Sequence, residues 1–172
     1  AGLDNFCWPD SIESAKTPDG KYKLAQLVRA NRELERVCRA YKLPCVSGKD
    51  SMKNDYGTGE KKISIPPTLL YSVFGDQPDV RFTATSDFKH PGEIIYLVGE
   101  SKEELGASEI AFMLHESGEA AGIGGQVPLL PHPEKNLTTY RALSTAIQAG
   151  LIQTAHDCSE GGVAVAAAEM CI

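Results

Sequence analysis

The chain has 172 residues, room for one ordinary domain or two small ones, and its 42% apolar and 23% charged content is that of a folded protein. A formal net charge of −6 leaves no basic excess for a broad nucleic-acid face, and no polybasic block marks a membrane surface. The longest apolar runs, such as Ile94 to Val98, fall far short of the ~20 residues that span a bilayer, and no basic-then-apolar leader opens the sequence.

In chain order, apolar residues stand at Leu3 and from Phe6 to Trp8, and Trp8 reads as a core or interface anchor. The punctuated stretch Thr17-Pro18-Asp19-Gly20 precedes the strongest helix signal. Leu24, Leu27, Val28, Leu34, Val37, Cys38 and Tyr41 recur at three- and four-residue steps, with arginines and Glu33 between them. Pro44 ends that helix, because the residue before a proline is pushed out of helical geometry. Cys45-Val46 reads as a strand end entering the polar turn Ser47-Gly48-Lys49-Asp50-Ser51, followed by a loop to about Lys62. Thr68 to Gly75, introduced by two prolines, has the β-branched and aromatic content of a buried strand.

Ser86 to Gly92 is turn chemistry without periodicity, and the boundary between two structural units is placed there. Glu93 to Gly99 reads as a strand, Ser108 to Ser117 as a helix, and the glycine- and proline-rich Gly118 to Lys135 as loop. Tyr140, Leu143, Ile147 and Leu151 give a helical pattern closed by Gly150. Leu151 to Ala155 suggests a short strand running into His156-Asp157-Cys158-Ser159-Glu160-Gly161-Gly162, and Val163 to Ile172 an alanine-rich helix start. That run stops without a capping signal, and the amino end is equally abrupt; both are expected to be cut ends of a longer chain, so self-association through exposed apolar surface is expected too.

Two short motifs could carry chemistry. In Ser47 to Ser51, glycine allows close approach to a polyanion, Lys49 can meet negative charge, Asp50 can hold Mg²⁺ and Ser51 can donate to an oxygen. The spacing of a Walker A loop is absent, and a plain polar turn is the competing explanation. In Asp157 to Gly162, Asp157 can accept a hard cation and Ser159 lies two residues on, before a helix start that favours anions. Here the competing explanation is an N-cap made by Asp157 or Ser159.

Asp4, set among apolar neighbours, is either a ligand contact or a turn residue. His156 is the only one of four histidines beside a candidate site, and none has a metal-spaced partner. The cysteines Cys7, Cys38, Cys45, Cys158 and Cys171 show no CxxC spacing and fit free thiols in a reducing cytoplasm. Cys158 lies beside the acidic Asp157, a poor setting for a thiolate nucleophile, so glutamine hydrolysis would have to occur elsewhere.

Taken in order, Leu3-Asp4-Asn5-Phe6-Cys7-Trp8-Pro9, Leu43 to Asn54, Ile63 to Leu70, Glu104 to Glu109 and Ala155 to Gly162 resemble the phosphoribosylformylglycinamidine synthase family. The resemblance implies an α+β architecture built from parts of two aminoimidazole-ribonucleotide-synthetase-like domains. Residues 1–88 would be the later part of an amino-terminal-type domain, and 89–172 the first part of a carboxy-terminal-type domain. It implies a purine-biosynthetic ligase that uses ATP and Mg²⁺, converting formylglycinamide ribonucleotide to its amidine with ammonia from a glutaminase domain or subunit.

By position, the resemblance makes Asp4 and Gly48 ATP contacts, Ser51 a substrate contact, Asp157 a Mg²⁺ ligand and Ser159 a nucleotide contact. Relatives carry a Mg²⁺-binding asparagine where this chain has Lys49, so either Asp50 takes the metal or Lys49 supplies its own charge in place of the cation. Part of the catalytic constellation is expected to lie outside this chain, leaving it inactive alone. A sister ATP-using synthetase (aminoimidazole ribonucleotide or selenophosphate) and a non-catalytic nucleotide-binding interface module are the alternatives.

Overall fold

A computed structural model describes residues 1–57, 61–116 and 126–172. The chain divides into two compact units, 1–77 and 78–172. It is mixed α and β, and no described helix is long and apolar enough to cross a membrane.

The first unit is a βαβ segment extended by one antiparallel strand. Strand β1 (Gly2–Cys7) leads through helix α1 (Gly20–Tyr41) to β2 (Cys45–Ser51), which lies parallel to it; β3 (Thr68–Val73) pairs antiparallel on the other side, giving the order β2-β1-β3. A helical crossover is what a parallel pair requires. Helix α1 follows its periodicity: Leu27, Leu34, Val37, Cys38 and Tyr41 are half-buried, while Leu24 and Val28 stay exposed. Three ion pairs line it, Asp19–Lys23 at 3.0 Å, Glu33–Arg36 at 2.8 Å and Glu35–Arg39 at 2.8 Å. It stops at a left-handed Lys42, whose N–H and that of Leu43 return to Arg39 and Cys38, two residues before Pro44.

Two sequence expectations change in this unit, and one strand has no counterpart in the sequence reading. The central strand β1 carries no alternation strong enough to announce it. Ser47 to Ser51 is extended strand rather than a turn after one, because each residue from Ser47 on pairs with Leu3 to Cys7. And β3 is an edge strand, not a buried one, with Leu70 and Val73 exposed. The core is small: Phe6 and Trp8 pack at 6.0 Å between ring centroids, and the indole N–H donates to the Lys23 carbonyl at 3.0 Å. Burying two such rings contributes roughly 1.5–3 kcal/mol each.

The second unit contains a short 3₁₀ turn (Val80–Phe82) and helices α2 (Glu109–Glu116), α3 (Pro133–Gln148) and α4 (Gly162–Glu169). Helix α3 starts at Pro133, earlier than the expected loop end at Lys135, because a proline suits a first helical turn whose N–H groups have no intrahelical partner. The expected strand Glu93 to Gly99 is irregular backbone with Ile94, Ile95, Tyr96, Leu97 and Val98 all exposed, since no described neighbour offers it a ladder. Leu151 to Ala155 is reduced to one bridge, Thr85 to Thr154. Residues 118–125 of the expected loop Gly118 to Lys135, and Ser117 at the end of the expected helix, lie outside the described residues. Thr85 to Phe88 packs within this unit, as Thr85 exchanges hydrogen bonds with Gln153 and Ala155, and Phe88 N–H reaches the Met170 carbonyl.

Candidate functional site

The motif residues of the first unit sit on β1 and β2, and the pleat sorts them onto two faces. Asp4 is directly across from Gly48, and Phe6 from Asp50; Asn5 is across from Lys49, and Cys7 from Ser51. Alternate residues point to opposite sides of a sheet, so Asp4, Gly48 and Asp50 share one face while Asn5, Lys49 and Ser51 share the other.

On the Asp4 face, glycine at 48 is a steric requirement. A Cβ there would lie 2.6 Å from Asp4 Cγ, and closer still to Oδ1. Cys45 donates its thiol to Asp4 Oδ1 at 3.2 Å. Helix α1 reaches this side through Cys38, whose sulfur is 3.2 Å from the Tyr71 hydroxyl; that contact and burial hold the phenol well above its ordinary pKa.

On the opposite face, the Lys49 ammonium donates to Ser51 Oγ. The Asn5 Oδ1, across the sheet register from Lys49, is buried with no hydrogen-bond partner among the described residues.

Beyond the carboxyl ends of β1 and β2 lies a polar network that no short motif revealed. Lys62 Nζ is 2.8 Å from Asp55, 3.1 Å from Asp10 and 2.8 Å from Thr17 Oγ1. The Asp55 side chain is only 4% exposed. Burial pushes its pKa up, but the Lys62 ammonium, the Asp10 N–H and the Ser64 hydroxyl together outweigh that and hold the carboxyl below its usual value. Ser64 also accepts from the buried Lys23 at 2.7 Å, which ties the network to α1. The signal was spread over Asp10, Asp55 and Lys62, far apart in sequence, so no spacing could expose it.

In the second unit the backbone from Thr85 to Phe88 braces the segment that ends at His156-Asp157. The Thr154 hydroxyl donates to the Asp87 carbonyl at 2.8 Å. His156 is largely buried, with Nδ1 2.7 Å from the Asp157 carbonyl oxygen and Nε2 3.2 Å from Glu169 at the end of α4. Asp157 itself is 80% exposed. The Ser159 hydroxyl donates to its carboxylate, and this bond, before any other influence, lowers the Asp157 pKa.

The capping explanation does not hold, because the N-cap position is Gly161 and no side chain caps α4. Gly161 and Gly162 are both left-handed (φ 82° and 64°), and a Cβ on Gly161 would meet Val165 Cβ at 2.6 Å. The Ser159 carbonyl accepts from the Gly162 N–H at 3.2 Å, but the Asp157 and Ser159 side chains do not cap the helix; they are joined to each other and open to solvent.

Among the described residues no three of His, Cys, Asp and Glu converge on a metal-ligand cluster. An ionised, exposed Asp157 nonetheless fits Mg²⁺, which binds through one or two carboxylates and takes its remaining ligands from water and phosphate.

The second unit matches a known domain: residues 90–172 fit the family model for "AIR synthase related protein, C-terminal domain". Over 160 residues, 93% of the chain, the sequence is 36% identical to the phosphoribosylformylglycinamidine synthase subunit PurL of two strains of Thermus thermophilus, covering 20% of each. The chain is thus PurL-like along nearly all its length, and it spans about a fifth of the curated relatives it matches.

Proposed function

We propose that this chain is a nucleotide- and substrate-binding segment of a phosphoribosylformylglycinamidine synthase, a C–N ligase of purine biosynthesis acting in the cytoplasm. The observation that carries the reading is the 36% identity to PurL over 93% of the chain. In this reading residues 1–88 belong to an amino-terminal-type synthetase domain and 89–172 to the carboxy-terminal type. ATP phosphorylates the amide oxygen of formylglycinamide ribonucleotide, and ammonia displaces phosphate to leave the amidine. A glutaminase domain or subunit supplies the ammonia, since no cysteine here has a nucleophile's setting.

The residues divide the work by position. Asp4 and Gly48, facing each other across β1 and β2, contact the nucleotide, with the Asp4 carboxylate accepting from its hydrogen-bond donors. Ser51 holds the substrate. Lys49 touches Ser51, whereas Asp50 points to the other side of the sheet. That arrangement favours Lys49 supplying positive charge beside Ser51 over Asp50 holding a metal there. In the second unit, Asp157 would hold Mg²⁺ and Ser159 would contact the nucleotide, with His156 fixing the loop against α4. The ion, when bound, neutralises phosphate charge.

Phosphoryl transfer depends on several charges placed together. This segment supplies some of them, so turnover requires the rest of the synthetase. The exposed apolar run 94–98 is a surface for that larger assembly or for self-association, and light scattering that finds a monomer at every concentration argues against self-association.

The test is calorimetric titration with ADP, with and without Mg²⁺, on the natural protein and Asp157→Ala. Mg²⁺-dependent binding abolished by the substitution is expected. Binding unchanged by it would remove Asp157 from the site, and no binding by a folded chain would mean the nucleotide half-site is not formed by this segment.

A further inference from the structure

We infer that the outer face of α1 is a docking surface for α2 of a second copy of this chain, closed by arginine–glutamate pairs around an exposed aromatic ring. Helix α1 carries four arginines and two lysines against two glutamates, a surplus of four positive charges in a chain whose net charge is −6. The arginines are not scattered. Arg29, Arg32, Arg36 and Arg39 recur at steps of three, four and three, which lines them along one side of the helix, opposite the half-buried Leu27, Leu34 and Tyr41.

Part of that stripe is neutralised on its own helix, since Glu33 takes Arg36 and Glu35 takes Arg39. Arg29 and Arg32 are exposed and meet no carboxylate among the described residues. Like charges one turn apart repel, a cost that a carboxylate from outside the helix removes. The Arg39 side chain is 78% exposed, and an ion pair that open contributes little and exchanges readily with another carboxylate.

Helix α2 has the complementary face. Glu109, Phe112, Met113 and Glu116 stand at i, i+3, i+4 and i+7 and so share one side, with Phe112 62% and Met113 67% exposed. No residue of this helix is buried. Glu116 sits in the last turn, where the helix dipole favours a cation, and an incoming guanidinium offsets that mismatch. The two carboxylates are seven residues apart, about 10.5 Å along the axis, which is the interval from Arg32 to Arg39. A guanidinium pairs with a carboxylate and also stacks on an aromatic face, so one arginine stripe satisfies both the acidic ends and the apolar middle of α2.

The long-range charge favours the same partner. From Glu93 to Glu116 six glutamates stand against one lysine, a segment that attracts α1 and repels other acidic surfaces. Because each chain carries both faces at matching intervals, a second copy supplies the partner without any further component.

Molar mass is measured by light scattering across concentration, without nucleotide, so the result stands apart from the proposed synthase reading. The natural chain is compared at low and at physiological ionic strength with Arg32→Glu, with Glu109→Arg and with the two combined. Arg141→Glu on α3 is the control that changes net charge as much as Arg32→Glu does. All three positions are exposed, and an unchanged thermal melt confirms that the variants fold. We expect self-association that weakens as salt rises, falls roughly tenfold in either single reversal, recovers in the combined variant and stays within about threefold in Arg141→Glu.

Salt separates this contact from association through residues 94–98, which is apolar and does not weaken as salt is added. A monomer at every concentration, association indifferent to salt, a loss in Arg141→Glu equal to that in Arg32→Glu, or single reversals that the combined variant fails to rescue would each overturn the docking of α1 on α2.

Discussion

Gly48→Ala tests whether the two strands carrying the motif are packed as described. The added Cβ would lie 2.6 Å from Asp4 Cγ and 2.8 Å from its Oδ2, against about 3.5–4.0 Å for an ordinary carbon–carbon contact, so the carboxylate must retreat by about 1 Å. Strand β1 is hydrogen-bonded on both sides, to β2 and β3, so its backbone cannot move away and the strain falls on the Asp4 side chain. Rotating that side chain off its rotamer costs about 0.5–1.5 kcal/mol, and the Cys45 thiol loses one of its two acceptors, keeping the Ser47 carbonyl. Replacing glycine in a strand returns about 0.5–1 kcal/mol. We therefore expect a net change between about zero and a loss of about 1 kcal/mol.

The decisive comparison is a double-mutant cycle with Asp4→Ala, whose own cost should be under about 1 kcal/mol because the residue is half-exposed. With no carboxylate to strike, Gly48→Ala should become neutral or stabilising in the Asp4→Ala background, a coupling of about 0.5–1.5 kcal/mol. Urea unfolding followed by the fluorescence of Trp8, the single tryptophan, reports this unit alone. Effects that add to within about 0.5 kcal/mol would refute the facing of Asp4 and Gly48.

Three further outcomes follow from the same geometry. Trp8→Phe removes the indole donor to the Lys23 carbonyl and part of the ring packed on Phe6; we expect a loss of about 1.5–3 kcal/mol by urea unfolding followed with circular dichroism. The Lys89 ammonium, and then the Thr85 hydroxyl, lower the Asp87 pKa from 3.8 to about 2. A lowered carboxyl stabilises the fold above its unfolded value and loses that stabilisation as pH falls, so amide exchange at Thr85 and Ala155 should accelerate between about pH 4 and pH 2, and Asp87→Asn should abolish that dependence. His156→Phe cuts the link from the Asp157 loop to Glu169, and exchange at the end of α4 should rise on the order of threefold while α3 is unaffected.

What the sequence revealed depended on whether the signal was local. Helices α1 and α3 were legible because their apolar residues repeat every three or four positions, and Pro44 and Gly150 punctuate their ends. Strand β1 was not, since Gly2, Asp4 and Phe6 share its inner face and only one of the three is apolar. The extended state of Ser47 to Ser51 is likewise a tertiary outcome: glycine, lysine, aspartate and serine favour turns, and only pairing with β1 overrides them. The Lys62 network was invisible for a related reason. Nothing local marks Asp55 as buried, and its partners Asp10 and Lys62 meet it only after the two parallel strands are aligned.

The strand assignment also changes what Lys49 means. Read as part of a turn, Lys49 and Asp50 are interchangeable candidates for one site, since a flexible loop could turn either side chain toward a ligand. On a strand they cannot be exchanged, because a one-residue step reverses the face. Lys49 stands with Ser51 and the unpartnered Asn5 oxygen, and Asp50 stands with Gly48 and Asp4. A ligand on the Lys49 face meets an ammonium and a hydroxyl. That set suits a phosphorylated or strongly polar substrate and not a divalent cation, which would be repelled by the ammonium. On the Asp4 face two carboxylates flank the glycine, so cations and hydrogen-bond donors are favoured there. The sheet separates the two chemistries by its own thickness, and one register sets both.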